Sequence, residues 1–352
     1  MKETTNTTSK VHVDEFDEDT SDFFDDLRSQ LPKGDQDNIQ RLENAKNTYV
    51  HLGWDNYLEH QLRRLLMHIL SKKNGKPDDG RLLFVTGESG AGKTESIRHL
   101  LDNTDALKPQ QKSYGITRPA ISISLKGPET LRTLGRTILE VAGYPVSHRV
   151  AQSEVWDMLP DQLRRRRVFL IHIDETQHLL KQTAADRERK NLASALKGLM
   201  NDTKWPVSFI LSGLPRTVEL ASLDEQFERR ALFAQRPSIE IPEDRETVVK
   251  IISELAAAAA LGSEEAISGD LPDRIAHAAN YRHGRIASLL HAVIDIALEE
   301  GNNTLVSEHF IQAYVERSHA YGDDDKNPFC ADDWYRLDPG SFIYDRGITF
   351  DR

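Results

Sequence analysis

Leu82-Leu83-Phe84-Val85-Thr86-Gly87-Glu88-Ser89-Gly90-Ala91-Gly92-Lys93-Thr94 is the stretch on which the fold turns. Its first five residues are a short apolar run that reads as a strand, and Thr94 to Leu101 reads as a helix. Between them every fixed position of G-x-x-x-x-G-K-[ST] is filled, in the strand-to-helix setting that a phosphate cradle needs. Glycines at 87, 90 and 92 let backbone N–H groups turn inward, and the helix amino terminus adds its positive end. Lys93 is placed to reach the β and γ oxygens of a nucleotide, and Thr94 to ligate Mg²⁺. Glu88, Ser89 and Ala91 complete the cradle, and Glu95 carries it into the helix. Two similar patterns fail here: G-x-S-x-G breaks at Ala91, and G-x-G-x-x-G breaks at Glu95.

Working outward, strand and helix signals alternate. An amphipathic helix from Asp55 to Lys73 precedes the loop, broken by Asn74-Gly75-Lys76-Pro77. Downstream, Ala120 to Leu125 alternates like a strand, and Leu131, Leu134, Ile138 and Val141 mark a helix. Val168 to Ile173 is a continuous apolar strand; Leu192, Leu196 and Leu199 stripe a helix before Val207 to Leu211. This βαβαβαβ order predicts an α/β core, a parallel sheet between helices with ligands at the carboxyl ends of its strands.

The Val168 strand ends in Asp174-Glu175. Asp174 at its tip is placed to hold Mg²⁺ and Glu175 to polarise an attacking water, so ATP hydrolysis is expected rather than phosphate binding alone. Ser212 ends the next buried run, either as a polar contact to the γ-phosphate or attacking water, or as a turn serine before Gly213 and Pro215. Arg229 and Arg230 are candidates for an arginine supplied to a neighbour's nucleotide, or else are solvated helix residues paired with Asp224 and Glu225. Arg285, with Arg282 as its rival, is expected to reach the γ-phosphate from the lid side. Lys126, His148 and Arg149 are the candidate contacts to a DNA backbone. Arg164 to Arg167 reads as a solvated helix end.

After Pro242 only helix signals remain: Glu243 to Leu261, Leu271 to Asn280, Arg285 to Leu298 and Val306 to Ala320. The expected division is therefore an acidic tail over residues 1–40, a nucleotide-binding core over 41–242, a helical lid over 243–320, and an acidic tail with docking aromatics over 321–352. The net charge of -11 sits in those tails, with 11 acids against 4 bases in residues 1–40 and 8 against 4 in 321–352. The remainder is neutral, so the acidic balance does not exclude a nucleic-acid partner. One cysteine, Cys330, rules out an internal disulfide and fits a reducing, cytoplasmic setting. No apolar run is long enough to span a bilayer, and no membrane partner is expected.

Taken together, LLFVTGESGAGKTESIRHLL, FLIHIDETQHLL, LKGLMND, VSFILSGLP and LDEQFERRALF resemble the AAA+ ATPases of the TniB/TnsC group, regulators of transposition, over roughly residues 45–315. The resemblance implies a five-stranded parallel sheet with a carboxyl-terminal helical lid. It implies ATP and Mg²⁺ as cofactors, with Ser212 at the sensor-1 position and Arg229 or Arg230 as the finger. Implied partners are duplex DNA, further copies of the chain in a hexameric ring or helical filament, and a transposase with its target-selection proteins. Two other classes stay open: a replication-initiator or helicase-loader AAA+ protein, and a small-molecule phosphotransferase. The pair Asp174-Glu175 argues against the last, which has no use for a water-activating glutamate.

Overall fold

The computed structural model describes residues 18–113, 115–180, 186–318 and 324–340, arranged as two compact units. The first is an α/β layer structure. Its central sheet has five parallel strands: β1 (Leu82–Thr86), β2 (Ala120–Ser124), β3 (Leu170–Asp174), β4 (Ser208–Gly213) and β5 (Ala231–Gln235), in the spatial order β2-β3-β4-β1-β5. All residues of β1, β3 and β4 are buried, which explains why their sequences are mostly apolar instead of alternating: helices cover both faces, so alternation would place polar side chains in a core. One face packs Leu82, Phe84, Ile171, Ile173, Phe209 and Leu211 against helices including α5 (Leu131–Val141) and α6 (Gln152–Arg166). The opposite face packs Leu83, Val85, Leu170 and Ile210 against α3 (Gly53–Leu70) and α4 (Lys93–Asn103).

Because every connection is a crossover, all five strands point their carboxyl ends the same way, and β1, β3 and β4 lie side by side there. This gathers the phosphate loop, Asp174-Glu175 and Ser212 at one end of the sheet. The fifth strand, β5, was implied only as a number. Its sequence, Ala-Leu-Phe-Ala-Gln, follows the charged helix α8 (Glu225–Arg230) with no intervening turn residue, and as an edge strand it leaves Phe233 45% exposed, stacked on Phe84 at 5.4 Å.

The second unit is helical: α9 (Arg245–Ala258), α10 (Leu271–Ala278), α11 (His283–Glu299) and α12 (Ser307–Ser318) enclose Val248, Ile252, Leu289, Leu290, Val293 and Phe310. Residues 18–40, expected as part of the acidic tail, and residues 41–47, expected to open the nucleotide-binding core, are largely helical. They form two helices, α1 (Glu18–Ser29) and α2 (Lys33–Asn47), and α2 belongs to the helical unit. Ala45 is fully buried there, Asn38 donates to the Leu298 carbonyl at 3.0 Å and Arg41 to that of Ala259 at 2.8 Å. The polar sequence of α2, with one buried residue, hid it from a reading based on apolar periodicity. At the other end of the chain, Phe329 packs on Phe310 and Tyr314, and Trp334 lies under Arg274 and against His277. Phe342 and Tyr344, also read as docking aromatics, lie outside the described residues.

Candidate nucleotide site

The loop after β1 is built as a phosphate cradle requires. Gly90 and Gly92 take φ of 76° and 87°, left-handed values that side-chain residues rarely adopt. A side chain at Gly87 would be tight, since a Cβ would stand 3.1 Å from the Arg236 carbonyl oxygen. Lys93 is 6% exposed and its Nζ donates to the carbonyls of Gly87 at 2.9 Å and Glu88 at 3.0 Å, so the ammonium is folded back into the loop. Burial pushes this ammonium below the usual lysine range, with Arg236 in the same sense, and the carboxylates of Glu175, Asp174 and Glu88 only partly oppose it. A buried cation at the start of a helix, behind a glycine-rich loop, fits a polyphosphate chain, whose anionic oxygens would take the place of the Gly87 and Glu88 carbonyls on Lys93. Ala91 is buried, whereas Glu88 and Ser89 are exposed; Glu95 is exposed as well and pairs with Arg98 at 3.2 Å.

Asp174 meets the loop directly. The Thr94 hydroxyl donates to its Oδ2 at 2.6 Å, while its Oδ1 accepts from the Glu175 N–H at 2.9 Å and from the Ser212 hydroxyl at 2.5 Å. Burial raises the affinity of this carboxyl for a proton, but His172 and the hydrogen bonds from Ser212, Thr94 and the Glu175 N–H outweigh it and hold Asp174 below the usual carboxylate range. A hydroxyl and an anionic carboxylate in contact beside a phosphate cradle are the hard oxygen pair that suits Mg²⁺, which is bound by one or two carboxylates together with substrate phosphates. Thr94 and Asp174 would hold it.

Glu175 occupies the left-handed region at φ 55°, a conformation that turns its side chain away from the strand direction. Its carboxylate accepts from the Gln177 amide nitrogen, and the amide oxygen of Gln177 accepts from the Leu214 N–H at 3.1 Å. One buried glutamine therefore ties Glu175 to the end of β4. Ser212 is fully buried and directs its hydroxyl proton at Asp174, so in this structure it buttresses the acid rather than facing open space.

Three residues of the site escaped the sequence reading. His172 interrupts the apolar run of β3 and contacts both Ser122 and Ser212; its signal was a lone polar residue within a buried strand. Gln177 lies in a 3₁₀ turn with no periodicity to mark it. Arg236, 5% exposed at the end of β5, had no strand assignment to give it a place. Its guanidinium donates to the Ser96 hydroxyl at 2.8 Å, pairs with Asp55 at 3.5 Å and lies 4.6 Å from the Trp54 ring centroid. This ties α3 to the first turns of α4, directly behind the loop.

The arginine pair on α8 separates cleanly. Arg230 is held within its own chain, at 2.7 Å from Asp79 and 2.6 Å from the Asn201 side-chain oxygen. The Arg229 side chain is 74% exposed and, among the described residues, is paired with Glu225 one helical turn back. Arg282 and Arg285 lie in the helical unit. Arg282 bonds the Ser238 hydroxyl, which turns it toward its own loop. That unit includes Gly90–Gly92, and there Arg285 stands against Gly90, where a Cβ would come within 2.9 Å of the arginine Cγ. Lys126, His148 and Arg149 are all exposed. Arg132, in the first turn of α5, donates to the carbonyls of His148 at 2.5 Å and Val150 at 3.0 Å. The loop carrying His148 and Arg149 therefore returns to the end of the sheet from which Lys126 leads into α5.

Residues 76–221 match the family described as AAA domain, and those residues carry both the phosphate loop and Asp174-Glu175. The fold is that of an AAA+ P-loop NTPase. Among solved structures, the chain resembles the Aeropyrum pernix ORC1 protein in complex with DNA at 20% identity and a TM-score of 0.54, over 77% of this chain and 67% of that one. It also resembles Cdc6p from Pyrobaculum aerophilum, at 15% identity and 0.57, and the Aeropyrum pernix ORC2 protein in ADPNP–ADP complexes, at 16% and 0.51; each covers 78% of this chain and 70% of the other. At these identities the likeness is one of fold. No curated protein matches in sequence. Among the described residues, no helix is long and apolar enough to cross a membrane.

Proposed function

We propose that this AAA+ protein hydrolyses ATP, assembles with further copies of itself on duplex DNA, and uses that cycle to couple target selection to a transposase. The observation that carries the reading is the contact of Thr94 with Asp174 beside the buried Lys93 ammonium, with Glu175 one residue further on. Thr94 and Asp174 would hold Mg²⁺, which when bound would supply neutralisation of phosphate charge. Lys93 leaves its own loop carbonyls for the phosphate oxygens, Thr94 and Asp174 orient the metal, and Glu175 polarises the water. Arg229, exposed and held only by a surface pair, is the finger offered to a neighbouring copy, so turnover depends on assembly. Lys126, His148 and Arg149 form the DNA-facing edge.

The transposition role rests on the sequence motifs; fold similarity to ORC1, ORC2 and Cdc6p favours a replication-initiator role as the second reading. Turnover measured with and without duplex DNA tests the shared part, DNA-stimulated hydrolysis. In the Glu175→Gln chain hydrolysis should fall at least about a hundredfold while ATP stays bound and the assembly on DNA becomes long-lived. Normal hydrolysis by that variant defeats the assignment of Glu175. Stimulation of transposase strand transfer separates the first reading from the second.

A further inference from the structure

His172 is an anomaly in its strand. It is 1% exposed in the centre of a three-strand block, with β2 on one side and β4 on the other, where every physical argument favours an aliphatic residue. Both ring nitrogens are engaged: Nδ1 lies 2.7 Å from the Ser122 hydroxyl of β2, and Nε2 lies 2.7 Å from the Ser212 hydroxyl of β4. Ser212 is in turn 2.5 Å from Asp174 Oδ1. A polar chain thus crosses three adjacent strands and ends on the carboxylate that would hold the metal.

Proton counting fixes the direction of that chain. An ionised carboxylate only accepts, so the short contact between Ser212 and Asp174 must use the one proton of the serine hydroxyl. Ser212 then has nothing left to donate, and its contact with His172 exists as a hydrogen bond only if Nε2 carries the proton. The result is the same for the neutral ring, with Ser122 donating to Nδ1, and for the doubly protonated ring, with Nδ1 donating to Ser122. Were the proton on Nδ1 alone, the serine hydroxyl would turn toward His172 and present a lone pair to Asp174. The carboxylate would lose one of its three donors and the constraint on its rotation.

We infer that His172 is a positioning residue for the metal-binding carboxylate: by donating from Nε2 to Ser212 it commits the serine proton to Asp174 Oδ1 and leaves Oδ2 turned toward Thr94. It acts as the outer-shell partner of a metal carboxylate, reached through a serine instead of directly. The inference rests on the proposed ATPase reading for its consequence but not for its geometry, and the two parts are tested separately.

The geometry is read from ¹⁵N imidazole NMR of the full, nucleotide-free chain, with the His172 signals assigned by their loss in His172→Gln. A protonated Nε2 is expected; an unprotonated Nε2 overturns the inference, whatever the chain does with ATP. The consequence is read from steady-state turnover. His172→Leu should lower kcat about tenfold with the KM for MgATP unchanged, the effect of losing one well-placed hydrogen bond in the reacting complex. His172→Gln, whose amide nitrogen replaces Nε2 as donor, should return kcat to within about threefold of the native chain. Equal turnover by the Leu and Gln variants overturns the positioning role, and should the Leu variant not fold, the NMR result still decides. A native chain that does not hydrolyse ATP, but shows the protonated Nε2, counts against the ATPase reading alone.

Discussion

Lys93, Asp174 and Glu175 of the candidate nucleotide site belong to the same α/β unit as the arginine helix α8, and the two regions are built by opposite rules. At the carboxyl end of the sheet the polar groups are held by neighbours in the fold: buried Lys93 by two carbonyls, buried Asp174 by three donors, and half-buried Glu175 by Gln177. On α8 the functional candidate Arg229 stands in solvent on a six-residue helix, with a single surface partner. A surface pair of this kind contributes well under about 1 kcal/mol and is readily exchanged for another. On the proposed reading the contrast means that binding is encoded within one chain, whereas the last element of catalysis is left for a second copy to organise.

The comparison predicts effects of graded size. Arg229→Ala should lower turnover of the assembled protein about a thousandfold with ATP affinity unchanged, whereas Arg230→Ala, which loses only its bonds to Asp79 and Asn201, should keep turnover; steady-state kinetics at saturating ATP compares the two. If Arg230→Ala is the inactive one, the finger is the anchored arginine and the contrast fails. Arg236→Ala breaks the buried ion pair with Asp55 and should cost about 3 kcal/mol of stability in chemical denaturation. Lys93→Ala should weaken ATP binding about a hundredfold in calorimetry, since one charge-assisted donor to phosphate is lost.

The smallest effect is one of pH, in the helical unit. Burial pushes the His277 ring below the usual histidine range, against the opposing influence of Leu337 and Asp338, and burial does the same to His291. The unfolded chain therefore takes up protons at these rings more readily than the folded one. Stability should be full above the ordinary histidine value of 6.5 and decline as pH falls below it toward the folded values. The urea midpoint should fall over that range, and by less in His277→Phe.

Much of this was legible because two strong local rules coincide with the site. The glycine spacing of Gly87 to Thr94 is dictated by backbone geometry at phosphate, and strands buried on both faces, such as Leu170–Asp174, announce themselves as apolar runs. What escaped has in common that its partners are distant in sequence. Arg236 makes sense only beside Asp55 and Ser96, Gln177 only beside Leu214, and His172 only between Ser122 and Ser212. No local period marks such residues. The helix Lys33–Asn47 was missed for a related reason: it is anchored to the helical unit by hydrogen bonds from Asn38 and Arg41 and buries one side chain, so it carries no apolar stripe.

The left-handed backbone at Glu175 carries one more consequence. Residues with a full Cβ branch sit there at a cost of about 1 kcal/mol, from which glycine is exempt and asparagine and aspartate partly so. Only glutamate, however, has the length and charge to meet the Gln177 amide and serve a water. A saturation library at position 175, ranked once by melting temperature and once by ATP turnover, should therefore come out in nearly reversed order, with the wild-type residue first in the second list and well down the first.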